Sequence, residues 1–322
     1  MTWGAARLDR RTMLLGMGAT ALAAALAGCS TPFAEVRLRL ATGGTQGVYY
    51  TLGAALGQAW QDELGLRTPP QILSTAGSVD NLRLLTTGAT DVAFSQVDAA
   101  ADIINTITPG APFTPCALGR VYDEFVHVVV PAASPVTRLA DLRGMRVSLG
   151  AQESGVFVIA KRLLEASGLA AADLRSSYLS INDSVTALRD GSIDAFFWTG
   201  GVPTVGVDDL ARQMPIRLLD LKDVLETLRK TYPVYSPGTV LARSYGIPNA
   251  ITTVLVRNFL LVDTQMPDDL AYALIKTVFD AQDKLAVVNP IALTIDLRAA
   301  IGTQPVPLHP GAERYFREAK DS

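Results

Sequence analysis

A strand–loop–helix grammar runs through the first third of this chain and then restarts in the second, and this constrains the fold more than anything else. Val36-Arg-Leu-Arg-Leu40 alternates as a half-buried strand would, and a loop from Thr42 to Gly47 follows. Tyr49 to Leu64 carries Leu52, Leu56, Ala59, Trp60 and Glu63 at helical spacing. Gln71–Thr75 reads as a strand, Ser78 is placed to cap a helix ending at Thr87 before Gly88, and Val92–Gln96 reads as a third strand. Beyond a β-branched run at Val126–Val130 the order begins again. Arg146–Leu149 reads as a strand, Gly150–Gly155 as a loop, and Val156–Ser167 as a helix stopped by Gly168. Ser177–Ser180 is expected as a strand, Asn182 or Asp183 as a helix cap, and Ile193–Trp198 as a further strand. Strands alternating with helices of this length predict parallel βαβ sheets.

An internal echo points to two similar lobes. Gly88-Ala-Thr-Asp91-Val-Ala-Phe94 and Gly191-Ser-Ile-Asp194-Ala-Phe-Phe197 share the spacing G-x-x-D-x-x-F at matching points of the two passes. Glycine would end the helix in a left-handed conformation, the aspartate would steady the turn, and the strand would bury phenylalanine. Later, Thr252–Val256 and Phe259–Val262 read as strand, and Pro267-Asp268-Asp269 opens a helix from about Leu270 to Ala286. Strands crossing near Val130 and Val256 predict a discontinuous first lobe, 36–125 plus 257–322, and an inserted second lobe, 126–256. The expected architecture is a two-lobed α/β fold of parallel-dominated sheets with flanking helices and a hinged central cleft.

The N-terminus predicts where such a fold works. Arg10-Arg11, an uncharged Ala/Leu/Gly stretch from Met13 to Ala27, and Leu26-Ala27-Gly28-Cys29 have the plan of an export signal over residues 1–28. The apolar run is shorter than a transmembrane helix requires. Leu-Ala-Gly-Cys resembles a bacterial lipobox, so Cys29 is expected to be acylated, with 29–35 as a tether to the membrane. Arg10–Leu14 also resembles a twin-arginine signal without its usual aromatic, leaving both export routes open. Losing residues 1–28 removes three Arg and one Asp, which moves the net charge from −3 to about −5. No basic cluster stands out, so a nucleic-acid partner is not expected. With Cys29 acylated, Cys116 has no partner within the chain, and stability must come from apolar burial.

Nothing in the sequence assembles an enzyme. His127 lies in an apolar strand, His309 in a Pro-rich tail, and neither has metal-ligand spacing. No nucleotide-binding loop is present, Gly150–Gly155 lacks the spacing of a nucleophile turn, and no cofactor or metal is expected. What recurs is a glycine- and hydroxyl-rich loop before a helix, at Thr42–Gly47, Thr75–Ser78 and Gly150–Gly155. Helix N-termini present unpaired N–H groups, and in open parallel sheets they gather at the carboxyl edge of the strands. Such loops bind a carboxylate without Lys or Arg.

Ala41-Thr-Gly-Gly-Thr-Gln-Gly-Val-Tyr-Tyr50, Ser78–Leu85, Asp91–Gln96, Leu139–Gly144 with Arg146–Gly150, Phe197-Trp-Thr-Gly-Gly-Val-Pro203 and Pro307–Phe316 resemble, in order, the TAXI family. These are solute receptors of TRAP transporters, which are driven by ion gradients. The resemblance runs from about Val36 to Phe316 and implies a type II periplasmic binding protein fold. It also implies a ligand that is a small acid or amino acid such as glutamate, glutamine or 2-oxoglutarate, delivered to TRAP membrane subunits. Carried onto this chain, it implies a ligand site built from Gly43, Gly44, Thr45, Tyr49, Ser78, Asn81, Gln96, Ser154, Thr199 and Gly200. Three positions depart from the family pattern: Gln46, Val156-Phe157, and Glu153, whose charge is expected at the site. A receptor for an ATP-driven importer and a ligand-sensing lipoprotein signalling to a membrane kinase are the alternatives.

Overall fold

The computed structural model describes residues 32–108 and 111–320. The expected export signal and Cys29 lie outside the described residues. The first pass is β1 (Arg39–Ala41), α1 (Val48–Leu64), β2 (Gln71–Leu73), α2 (Ser78–Thr86), β3 (Val92–Gln96) and α3 (Val97–Thr106). A long strand β4 (Pro115–Pro131) leads to the second pass. That pass comprises β5 (Arg146–Ser148), α4 (Gly155–Ala166), β6 (Arg175–Ser177), α5 (Ile181–Arg189), β7 (Ala195–Gly200) and α6 (Val205–Gln213). Next come β8 (Ile216–Leu218), α7 (Lys222–Thr231), β9 (Ser236–Val240) and the long β10 (Ile251–Asp263). The chain closes with α8 (Asp268–Asp280), α9 (Gln282–Val288), α10 (Leu297–Ala300) and α11 (Pro310–Lys320).

All strands join one sheet of order β2-β1-β3-β10-β4-β7-β5-β6, with β8 on β4 and β9 on β10. The order reads alike from both ends. β2-β1-β3 and β6-β5-β7 are each parallel, with the first strand of each pass in the middle. The two long strands between them are antiparallel to their neighbours. The sheet is therefore mixed, and the parallel expectation holds within each three-stranded end. β4 pairs β10 up to Phe125 and β7 from Phe125 onward, while β10 pairs β9 as far as Leu255. The result is a two-lobed α/β architecture linked by two crossing strands.

One apolar core around Trp60, Phe94, Tyr122 and Phe316 fills the first lobe, and another around Phe196, Val129 and Leu210 lies in the second. A third takes Leu82 and Val97 from the first pass and Leu149, Leu163 and Phe197 from the second. α1 buries Leu52, Leu56 and Trp60, each such leucine contributing about 2 kcal/mol. It packs against β1 so closely that a Cβ at Gly53 would lie 2.7 Å from Thr42 Cγ2. That approach directs the helix N-terminus towards the strand ends.

Several local expectations are corrected. β1 begins at Arg39, because Val36 N–H is taken by Phe33 O in a turn (2.9 Å). Ser78 is the first residue of α2 and does not cap it; its Oγ accepts from Gln96 N–H at 3.1 Å. α5 is capped by Ser180, whose Oγ accepts from Asp183 N–H, so β6 lies earlier than expected, at 175–177. The helix expected over 270–286 is divided at Ala281 into α8 and α9. The aspartates of the echoed turns reach beyond those turns. Asp91 accepts from Arg39 N–H and its guanidinium, and Asp194 does the same for Arg146. Each ties the turn before the third strand to the start of the first.

Candidate functional site

The loops after β1, β2, β5 and β6 and the ends of β3 and β7 converge on a cavity of about 140 Å³ between the lobes. This is the carboxyl edge of both parallel strand sets, where strand order reverses and ligands bind in open α/β sheets. Gly43, Gly44, Tyr49, Ser78 and Gln96 line it from the first pass, and Ser154 and Thr199 from the second. The remaining expected residues stand apart from the wall. Thr45 is exposed on the first loop. Asn81 is wholly buried, donating to Thr42 O and to Phe94 O (2.9 Å) and accepting from Thr75 Oγ1 (2.6 Å), so it ties the loops together. Gly200 is buried behind the cavity against Trp198 and Thr204. Glu153 points to solvent, while its carbonyl accepts from Asp80 N–H of the first lobe at 3.1 Å.

The carboxylate on the cavity wall is Glu124 of β4, which the sequence reading passed over. It occupies the buried face of β4 with Tyr122 and Val126. Burial alternates over 122–126, but the residues Tyr-Asp-Glu-Phe-Val do not alternate apolar with polar, so the sequence carries no local signal for an inward glutamate. Gln96 Nε2 donates to Glu124 Oε2 at 2.6 Å and to Thr199 Oγ1 at 2.6 Å. Tyr122 OH donates to Glu124 Oε1 at 3.1 Å. Burial raises the Glu124 carboxyl above the usual carboxylate range; the hydrogen bonds from Gln96, Thr199 and Tyr122 oppose the shift, and Asp98 adds to it. Asp98 is itself raised by burial, against the opposing effects of Tyr235 and Arg162.

Tyr49 presents its ring to the cavity, stacked on Phe94 at 5.0 Å, and its hydroxyl donates to Asn258 Oδ1. Ser154 Oγ is committed to capping α4, accepting from Phe157 N–H at 3.2 Å and donating to Ala151 O at 2.6 Å. α1 differs, for its cap residue Gly47 has no side chain to offer and its first turn lines the cavity. The N-termini of α1, α2, α4 and α5 thus border one space, and no Lys, Arg or His is among the lining residues. The lobes meet directly above Gln96: a Cβ at Gly155 would fall 2.0 Å from Gln96 Oε1.

Both histidines serve the fold. His127 engages Phe125 O at 2.8 Å and Tyr245 OH at 3.0 Å, and His309 engages Met266 O and Gly311 N–H. Among the described residues no group of His, Cys, Asp and Glu is arranged to hold a metal, and no helix is long and apolar enough to cross a membrane. Cys116 is buried, and burial pushes its thiol up to about 12.

The sequence profile of the NMT1-like family matches residues 40–319, and the chain belongs to that family. Its fold is similar to that of a Xanthomonas citri protein solved with ATP bound, at 17% identity and TM-score 0.51, covering 88% of this chain and 96% of that one. A structure described as a periplasmic transporter matches at 15% identity and TM-score 0.51, covering 88% and 93%. A Bordetella bronchiseptica protein matches at 18% identity and TM-score 0.50, covering 88% and 89%.

Proposed function

We propose that this member of the NMT1-like family is an extracytoplasmic solute-binding lipoprotein. It would capture a small organic acid or amino acid and deliver it to a TRAP-type secondary transporter. One observation carries the reading: a cavity between two lobes, lined from both, with four helix N-termini and no basic side chain. First-turn N–H groups of α1 would hold a carboxylate, each bond to the charged group contributing about 1.5–3 kcal/mol. Lobes 36–125 plus 257–322 and 126–256 would close about the point where β4 and β10 cross, near Phe125 and Leu255. The likeness to a structure described as a periplasmic transporter supports the compartment. The motifs at 41–50 and 307–316 favour TRAP subunits over an ATP-driven importer. Turnover is not part of the reading: Glu124 is the one carboxylate on the cavity wall, and no His, Cys or Lys stands with it among the lining residues.

The test is a calorimetric titration of the protein with glutamate, glutamine and 2-oxoglutarate, followed by uptake of the bound compound in cells. Uptake should be lost when the TRAP membrane subunits are deleted and persist when ATP-driven importers are deleted. The opposite pattern would assign the receptor to an ATP-driven system.

A further inference from the structure

The floor of the cavity has a polarity of its own. Gln96 is 2% exposed, and its Oε1 is the one buried side-chain nitrogen or oxygen without a hydrogen-bond partner among the described residues. Its orientation is set by its neighbours. Nε2 faces the Glu124 carboxylate and the Thr199 hydroxyl, so turning the amide over would bring oxygen against oxygen. Oε1 is therefore held at the cleft, where Gly155 of the opposite lobe comes over it. A buried acceptor left unpaired costs about 1–3 kcal/mol, and such a group calls for an explanation.

Glu124 beside it is 5% exposed, receives only donors, and has no cation among its partners. Arg162, the cation beside Asp98, is engaged with Asp98, Asp102 and Tyr235. The floor thus offers two acceptors, one of them an uncompensated carboxyl, while the opposite requirement, donors for a ligand carboxylate, is met at the helix N-termini.

We propose that Gln96 Oε1 and the Glu124 carboxylate form an acceptor floor that recognises a proton-donating ammonium on the ligand, so that the site prefers an α-amino acid to the matched 2-oxo acid. This rests on the reading of the cavity as a solute site. An ammonium supplies protons to Oε1 and to Glu124 together and balances the buried charge. A 2-oxo group brings a third acceptor to the same place and leaves all of them unpaired. Besides Glu124, the titratable groups around the floor are Asp98 and the hydroxyls of Tyr49 and Tyr122.

The experiment titrates the full chain with two matched sets, glutamate, 2-oxoglutarate and glutarate, and norvaline, 2-oxovalerate and valerate. In the set that binds, the amino member should bind at least tenfold more tightly than the oxo member. Glu124→Gln should bring that ratio to within about threefold. Thr199→Val removes the hydroxyl that accepts from Gln96 Nε2 and so loosens the amide orientation that holds Oε1 at the cleft; it should lower the ratio severalfold and serves if Glu124→Gln does not fold. Binding in which the oxo or unsubstituted acid equals the amino acid overturns the acceptor floor and leaves the solute site standing. An unchanged ratio in both variants does the same. Binding of none of the six compounds overturns both readings.

Discussion

Gln96 and Glu124 belong to strands that do not touch, yet the Gln96 amide donates to the Glu124 carboxylate at 2.6 Å across the intervening β10. The bond ties the end of a first-pass strand to the middle of the strand that carries the chain between lobes. Thr199, at the end of β7, completes it from the second lobe at 2.6 Å. Three strands from the two halves of the sheet thus share one polar cluster on the cavity floor, and lobe position and floor chemistry are coupled.

Gly155→Ala tests that coupling. Its Cβ would meet Gln96 Oε1, and Gln96 is pinned by two donor bonds of its own, so the lobes must part to admit the methyl. The variant should fold with the parent's circular dichroism and bind the parent's ligand at least tenfold more weakly. Small-angle scattering should show the parent contracting with saturating ligand and the variant remaining extended. A variant that contracts normally would show that this contact does not limit closure.

The echoed aspartates make a quantitative prediction. Arg39–Asp91 and Arg146–Asp194 are partly exposed pairs, so most of their worth lies in the hydrogen bonds to backbone and guanidinium. Asp91→Ala and Asp194→Ala should each lower unfolding stability by about 1 kcal/mol in urea titrations. The pairs lie in different lobes, so the double variant should be additive within about 0.5 kcal/mol. A loss confined to one of the two would break the equivalence of the lobes.

His127 should make stability depend on pH. Burial holds its imidazole down to about 4 from 6.5, against the opposing hydrogen bond to Phe125. The unfolded chain then binds the proton first. Stability is present above about 6.5 and is lost as pH falls towards 4, by about 3 kcal/mol in full. Glu124 and Asp98 are raised, so their contributions run the other way and are lost as pH rises through their folded values. Comparing the parent with His127→Gln at matched pH isolates the histidine. The variant's stability should fall less steeply between pH 6.5 and 4, and equal slopes would remove His127 from the account.

Cys29→Ser addresses the anchor. If Leu26–Cys29 is a processed lipobox, the parent should pellet with membranes and the variant should not, with intact mass showing the acyl chains only on the parent. A parent recovered soluble and unmodified would end the lipoprotein reading.

Loops and element order were legible because they depend on neighbours in sequence. Glycine and hydroxyl residues at 42–47, 75–78 and 150–155 mark strand ends locally, and Tyr49, Ser78, Gln96 and Thr199 do line one cavity. Asn81 and Glu153 were harder to read for opposite reasons. Asn81 is consumed by backbone carbonyls that arrive from other strands, and Glu153 leans to solvent while its carbonyl makes the contact between lobes. β4 was foreseen only at 126–130, because Arg120 and Asp123 interrupt its apolar run; they pair with each other on its less buried face.

By itself, the sequence determined the strand–helix alternation, the twofold repetition of lobes and the absence of basic residues from the loops that line the cavity, since these follow from local periodicity and composition. The tertiary structure alone decided that Glu124 reaches the site, that Gln96 presents its oxygen to the cleft, and that Gly155 must lack a side chain. Each depends on which strands become neighbours in the sheet. The order β3-β10-β4-β7 brings Gln96, Glu124 and Thr199 within hydrogen-bond reach from positions far apart in the chain. A buried carboxylate is tolerable only where such partners meet, and the chain's linear pattern does not contain that meeting.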